Sequence, residues 1–115
     1  MVVYDKAHEL ANEIKKSDEY IKYKEIKEKV YANEELKQKI KDFDKVRYEM
    51  QVLTLQGEKQ DEARMAELQK QYTELMENED AKQYFELELR FNVVLADVNK
   101  IIGEVVKDIL NWNSF

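Results

Sequence analysis

The chain has 115 residues, 43% apolar and 38% charged, with a net charge of −6 from 19 basic and 25 acidic side chains. It contains no cysteine, no proline and only two glycines. The missing thiols exclude disulfides, Cys-ligated zinc and iron–sulfur clusters, the scarcity of turn residues disfavours sandwiches and barrels, and the net acidity argues against nucleic-acid binding driven by overall charge.

The spacing predicts a first helix over Tyr4 to Lys16, with Tyr4, Ala7, Leu10, Ala11 and Ile14 on one face. Asp5 suits either its cap or its first turn, and Lys15 and Lys16 suit its C-terminal end. Ser17 then reads as an N-cap, with Asp18 and Glu19 in the first turn of a second helix that runs to about Tyr31. Its apolar face is Tyr20, Tyr23, Ile26 and Val30. Asn33, followed by Glu34 and Glu35, signals a third helix. That helix carries Leu36, Ile40, Phe43, Val46, Met50 and Leu53, close to a heptad seam. Gly57 ends the run inside the one clear loop, Gln56 to Asp61, where a glycine supplies the left-handed cap. Asp61 can cap a fourth helix with Met65, Leu68, Tyr72, Leu75 and Met76. So short a loop implies that helices three and four form an αα-hairpin.

Asn78 either caps the last helix or lies within it at a kink. From Asp80 to about Trp112 the stripe is the widest in the chain: Tyr84, Leu87, Phe91, Val94, Leu95, Val98, Ile101, Ile102, Val105, Val106, Ile109 and Trp112. Gly103 falls on the polar side. The expected fold is therefore an all-α bundle of about five helices in a single domain, residues 1–115. A last helix of thirty-odd residues spans roughly 50 Å, whereas a compact domain of this length is only about 35 Å across. The overhanging apolar stripe needs cover, and a second copy supplies it most simply. The expected homodimer, or higher oligomer, interface is Phe91, Val94, Leu95, Val98, Ile101, Ile102 and Val105.

Charge is uneven. Tyr20 to Arg47 holds nine basic and six acidic residues, and Glu58 to Asp80 holds three basic and eight acidic. The plain reading is complementary faces, with basic helix three beside acidic helix four. The run Tyr20-Ile21-Lys22-Tyr23-Lys24 interleaves aromatics with lysines. That pattern can hold single-stranded nucleic acid, which makes Lys22, Lys24, Lys37 and Lys41 a candidate nucleic-acid face. Tyr20 and Tyr23, however, sit on the apolar stripe, so core packing is the stronger reading.

Little else carries chemistry. The only histidine is His8, with no glutamate three residues before it, so a di-iron bundle is excluded. Ser17 reads as a cap and Ser114 lies in the tail. Gly57 and Gly103 are isolated and form no phosphate loop. No catalytic, cofactor-binding or metal-binding residue is identified, and the chain reads as a non-enzyme. The start, Met1-Val2-Val3-Tyr4-Asp5, has no basic region followed by an apolar run. No stretch approaches the ~20 apolar residues of a membrane span. A cytoplasmic protein with no membrane segment is expected.

The order of features has a likeness. A short helix with Ala7, Leu10 and Ile14 is followed by Ser17-x-Glu19-Tyr20. Asn33-Glu34-Glu35 then leads to Ile40-x-x-Phe43. A hairpin follows at Gly57, and the chain closes on Phe91, Leu95, Val98, Asn99, Ile101 and Ile102. Over nearly its full length the chain resembles the YheA-like branch of the YlbF/YmcA family of small helical bacterial proteins. The resemblance implies an oligomeric helical bundle without catalysis. It further implies kinship with accessory factors that assemble with one another and tune an RNA-degrading endonuclease, affecting competence, sporulation and biofilm formation. Some of those relatives carry cysteines associated with iron–sulfur clusters, and this chain has none to offer. The resemblance assigns no residue a site. The functional expectation is a regulatory accessory protein acting on an unidentified cytoplasmic protein partner, with direct nucleic-acid binding as the alternative.

Overall fold

The computed structural model describes residues 1–59 and 61–110. Gln60 and Asn111 to Phe115, which include the last expected stripe residue Trp112 and Ser114, lie outside the described residues. Five α-helices follow one another: α1 Val2–Lys16, α2 Asp18–Tyr31, α3 Glu34–Leu55, α4 Glu62–Met76 and α5 Glu79–Leu110. Among the described residues there is no strand.

Each boundary has a local cause. The Ser17 hydroxyl donates to the Ile14 carbonyl (2.6 Å), closing α1, while its oxygen accepts from the Tyr20 N–H (3.3 Å), opening α2. Asn33 Oδ1 accepts from the Leu36 N–H at 3.1 Å. Asp61 Oδ1 accepts from the Ala63 N–H at 2.9 Å. Asn78 Oδ1 accepts from the Ala81 N–H at 3.0 Å, so Asn78 caps α5 and is not a kink within it. Each of these satisfies an amide that a helix start leaves without a partner. After α3, Gly57 adopts φ 74°. Its N–H reaches the Thr54 carbonyl (3.1 Å) and the Glu58 N–H reaches Leu53 (3.0 Å), which is a Schellman termination. The first helix begins two residues earlier than the spacing predicts. The Met1 carbonyl accepts from the Tyr4 N–H, so the helix winds from Val2 and Asp5 falls in its first turn.

The helices gather into two compact units, a central one of Glu25–Phe85 and a terminal one of Met1–Lys24 with Glu86–Phe115. The division falls inside α2 and α5.

The central unit contains the buried core: Ile26 and Val30 of α2; Leu36, Ile40, Phe43 and Val46 of α3; Leu75 of α4; Ala81 and Tyr84 of α5. Each large apolar side chain removed from water contributes roughly 1.5–3 kcal/mol. Phe43 is the hub of its aromatic packing, edge-on to Phe85 at 5.5 Å and 6.1 Å from Tyr72. Tyr84 stands 5.1 Å from Phe85 and 6.2 Å from Tyr31. The expected αα-hairpin is present, since α3 packs on α4. The pairs Glu49–Arg64 and Phe43–Tyr72 run in opposite directions along the two helices, so they are antiparallel. Two expectations change here. Met65 and Tyr72 belong to the α4 stripe but are 48% and 44% exposed, because the single facing helix α3 covers only part of that stripe. The ion pair across the hairpin joins Arg64 of acidic α4 to Glu49 of basic α3, the reverse of the sense that net charge suggested. Lys29 and Asp80, 3.2 Å apart, do pair basic segment with acidic segment.

The terminal unit is held differently. Tyr20 and Tyr23 of α2 pack on Phe91 of α5 at 5.8 and 5.7 Å, and the Tyr23 hydroxyl donates to Glu88 Oε2 at 3.2 Å. None of its described residues is fully buried.

Candidate functional site

The apolar residues of α1 lie at helical spacing, and the opposite face carries Lys6, Glu9, Glu13 and Lys16. This is an amphipathic helix by sequence, yet every residue of it except half-buried Ile14 is exposed. Its polar bonds are local. Lys6 pairs with Glu9 one turn on at 3.1 Å, and Ser17 closes its end.

On α5 the expected interface residues divide into two sets. Phe91, Val94, Leu95 and Val98 are half-buried. Ile101, Ile102 and Val105 are exposed, Ile101 by 68% and Val105 by 72%, and Ile109 is exposed by 85%. Gly103, expected on the polar side, is instead half-buried along with Val106. On a helical wheel Gly103 sits about 60° from Val106 and about 160° from Ile101. The covered side of the last turns is therefore rotated away from the centre of the apolar stripe. Ile101, Val105 and Ile109, spaced by four residues, form one uncovered ridge. Periodicity identified the stripe but not which part of it a neighbour covers.

Thirteen of the seventeen exposed large apolar side chains among the described residues belong to this terminal unit, including Val2, Val3, Tyr4 and Leu10 of α1. The concentration makes this face, rather than any pocket, the candidate site. Exposed apolar surface concentrated in this way is a mark of association sites. The sequence reading placed Tyr4, Ala7, Leu10, Ala11 and Ile14 on one face of α1 but named none of them among the interface residues.

The other candidates bring less together. Lys22 and Lys24, in the terminal unit, are two positions apart on α2 and point to opposed sides of it. Lys37 and Lys41, in the central unit, lie one turn apart on α3. The Lys37 ammonium stands 6.0 Å over the Tyr31 ring, and Lys27, which the charge pattern did not single out, stands 5.5 Å over the same ring. Among the open grooves along the hairpin, two have volumes of about 450 and 360 Å³. They share Met50 and Leu68 and are lined mainly by apolar groups. The Arg47 guanidinium at the edge is bound to Asp44 at 2.7 Å and lies over the Phe43 ring at 5.3 Å. Neither groove assembles a nucleophile with a base. Among the described residues no group of three or more His, Asp or Glu is placed to hold a metal ion, and no helix is long and apolar enough to cross a membrane.

Known proteins share this chain's sequence and fold. The family described as "Control of competence regulator ComK, YlbF/YmcA" matches residues 3–107. A UPF0342 protein of Caldicellulosiruptor saccharolyticus is 39% identical over 104 residues, covering 90% of this chain and 87% of that protein. One from Clostridium tetani is 34% identical over 114 residues, covering 99% and 98%. A solved structure, a "Protein of Unknown Function (DUF964) from Bacillus stearothermophilus", superposes with a TM-score of 0.79 over 95% of this chain and 96% of that one, at 16% identity, and so shares the fold. By the extent of these matches the chain belongs to the YlbF/YmcA family, whose description links it to control of the competence regulator ComK.

Proposed function

We propose that this chain is a non-enzymatic regulatory accessory protein that works as a homodimer, assembled through the apolar face of α1 and α5, and acts by binding a cytoplasmic protein partner. The observation that carries the reading is the exposure, within one compact unit, of the ridge Ile101, Val105 and Ile109 on α5 and of Val2, Val3, Tyr4 and Leu10 on α1. Together these side chains offer on the order of 800 Å² per protomer, the half-share of a standard stable interface. A second copy presents the same face, and an isologous pairing covers both at once without leaving a patch to propagate. The family's description, control of a regulator, supports a role exerted through other proteins.

Sedimentation velocity over a dilution series tests the assembly. The expected species at micromolar concentration has twice the 13.8 kDa chain mass. A single-chain mass throughout the series refutes the homodimer. A tagged chain used as bait in its native host, with mass spectrometry of what it retains, tests the partner. A bait that retains nothing above an unrelated helical control refutes the accessory role.

A further inference from the structure

We infer that α1 and the C-terminal half of α5 fold only as the dimer forms, so that assembly switches the terminal unit between ordered and disordered states while the central unit stays folded. The inference rests on the homodimer proposed above and adds the physical consequence of its interface.

Three observations support it. First, every buried side chain described lies between Ile26 and Tyr84, so the terminal unit has no buried core among its described residues. Second, the ring contacts and side-chain hydrogen bond described between helices of that unit are clustered at Tyr20, Tyr23, Glu88 and Phe91, and cover farther out is partial, with Ile14, Val94, Leu95, Val98 and Val106 half-buried. Beyond Phe91, α5 has only half-covered residues and the open ridge, and the 15-residue α1 has only local polar bonds and no side-chain cap at Met1. A lone helix of that length is marginal in water. Third, the last turns of α5 are poor helix by composition. Val93, Val94, Val98, Ile101, Ile102, Val105, Val106 and Ile109 are β-branched, and Gly103 interrupts them. These residues lose rotamer or backbone freedom in a helix. Packing must therefore supply what propensity does not, and within one chain the ridge Ile101, Val105 and Ile109 finds none.

The same features make the test clean. Ile101 and Val105 are 68% and 72% exposed in the chain, so replacing them removes little packing from the folded protomer. Glutamate is also a better helix former than isoleucine or valine. In the full-length double variant Ile101→Glu with Val105→Glu, the propensity gain is opposed by repulsion between the two new carboxylates and with Asp97, so the readout is taken on α1, which carries neither substitution and whose loss of helix reports the missing partner. Hydrogen exchange read by mass spectrometry, beside sedimentation, is the measurement. The expected result is a monomer in which protection of Val2–Lys16 falls by at least about tenfold while that of Leu36–Val46 holds within about twofold. The companion variant Ile101→Leu with Val105→Leu should remain dimeric and protected. A monomeric glutamate variant whose α1 stays as protected as in the parent overturns this inference and leaves the homodimer standing. A glutamate variant that remains dimeric overturns the interface assigned to α5, and this inference with it; a parent that is monomeric with α1 protected overturns both the homodimer and this inference.

Discussion

Replacing Gly57 by alanine isolates one backbone term. The residue ends α3 at φ 74°, its N–H bound to Thr54 at 3.1 Å and the next N–H to Leu53 at 3.0 Å. A methyl group built there meets no atom within 4 Å, so no clash adds to the cost. What remains is the left-handed conformation itself, roughly 1–2 kcal/mol for an L-residue. Alanine also narrows the unfolded ensemble, which offsets about 0.4–1 kcal/mol. The net loss should be about 0.5–1 kcal/mol, or roughly 4 °C in Tm for a chain of this size. Asparagine tolerates the left-handed region better, so Gly57→Asn should recover at least half of the loss. Urea unfolding at one fixed protein concentration is the assay, so that any self-association contributes equally to each variant. The midpoint should fall with the slope unchanged. An alanine variant as stable as the parent, or an asparagine variant no better than alanine, would refute the claim that positive φ is why glycine stands there.

Two further outcomes separate the units and the caps. Ile40→Ala, at a site 0% exposed in the central unit, should cost about 2–5 kcal/mol; Ile101→Ala, compared in a monomeric background, should stay within about 0.5 kcal/mol of its parent. Similar losses at the two sites in urea unfolding would contradict the burial difference between the units. Asn33→Ala and Asn78→Ala remove the acceptors of the Leu36 and Ala81 amides, and each should cost about 1 kcal/mol, with aspartate at either position restoring most of it. If aspartate proved no better than alanine by thermal unfolding, side-chain capping would not be what starts these helices.

The helix count and most boundaries were legible because their causes are local. Ser17, Asn33, Gly57 and Asp61 each act within four residues of where they stand, so the sequence shows the cap and its target together. The α3 seam was legible over its first turns, where Leu36, Ile40, Phe43 and Val46 are all buried, while Met50 and Leu53 at its end are only half-buried. What the sequence did not show is which neighbour lies against which face. Gly103 was assigned to the polar side by the centre of the stripe, but cover over the last turns of α5 is offset toward Val106. Met65 and Tyr72 share a face with Leu75, yet only Leu75 is buried. Ala81, fully buried at the start of α5, is too small to stand out in a hydrophobic pattern. The pairing of Lys27 with Tyr31 one turn apart could have been read from spacing. The approach of Lys37 to the same ring, across the turn at Asn33, could not.

The placement of apolar character is the observation that bears most on function. Scattered exposed residues such as Tyr48 and Leu55 in the central unit are what any folded surface carries. The terminal unit differs because part of its exposed apolar surface is periodic, as in Ile101, Val105 and Ile109 on α5 and Tyr4, Ala7, Leu10 and Ala11 on α1. Their spacing on α1 and α5 is that of helices shaped to be covered, while the central unit already buries Ile26 to Tyr84 without them. Apolar residues in random surface positions would lower solubility without producing two matched stripes. The stripes are therefore better explained by assembly than by stability of the single chain. By that reasoning a charge placed at Ile101 should impair assembly, and any regulatory activity that depends on it, well before it impairs the fold around Ile40.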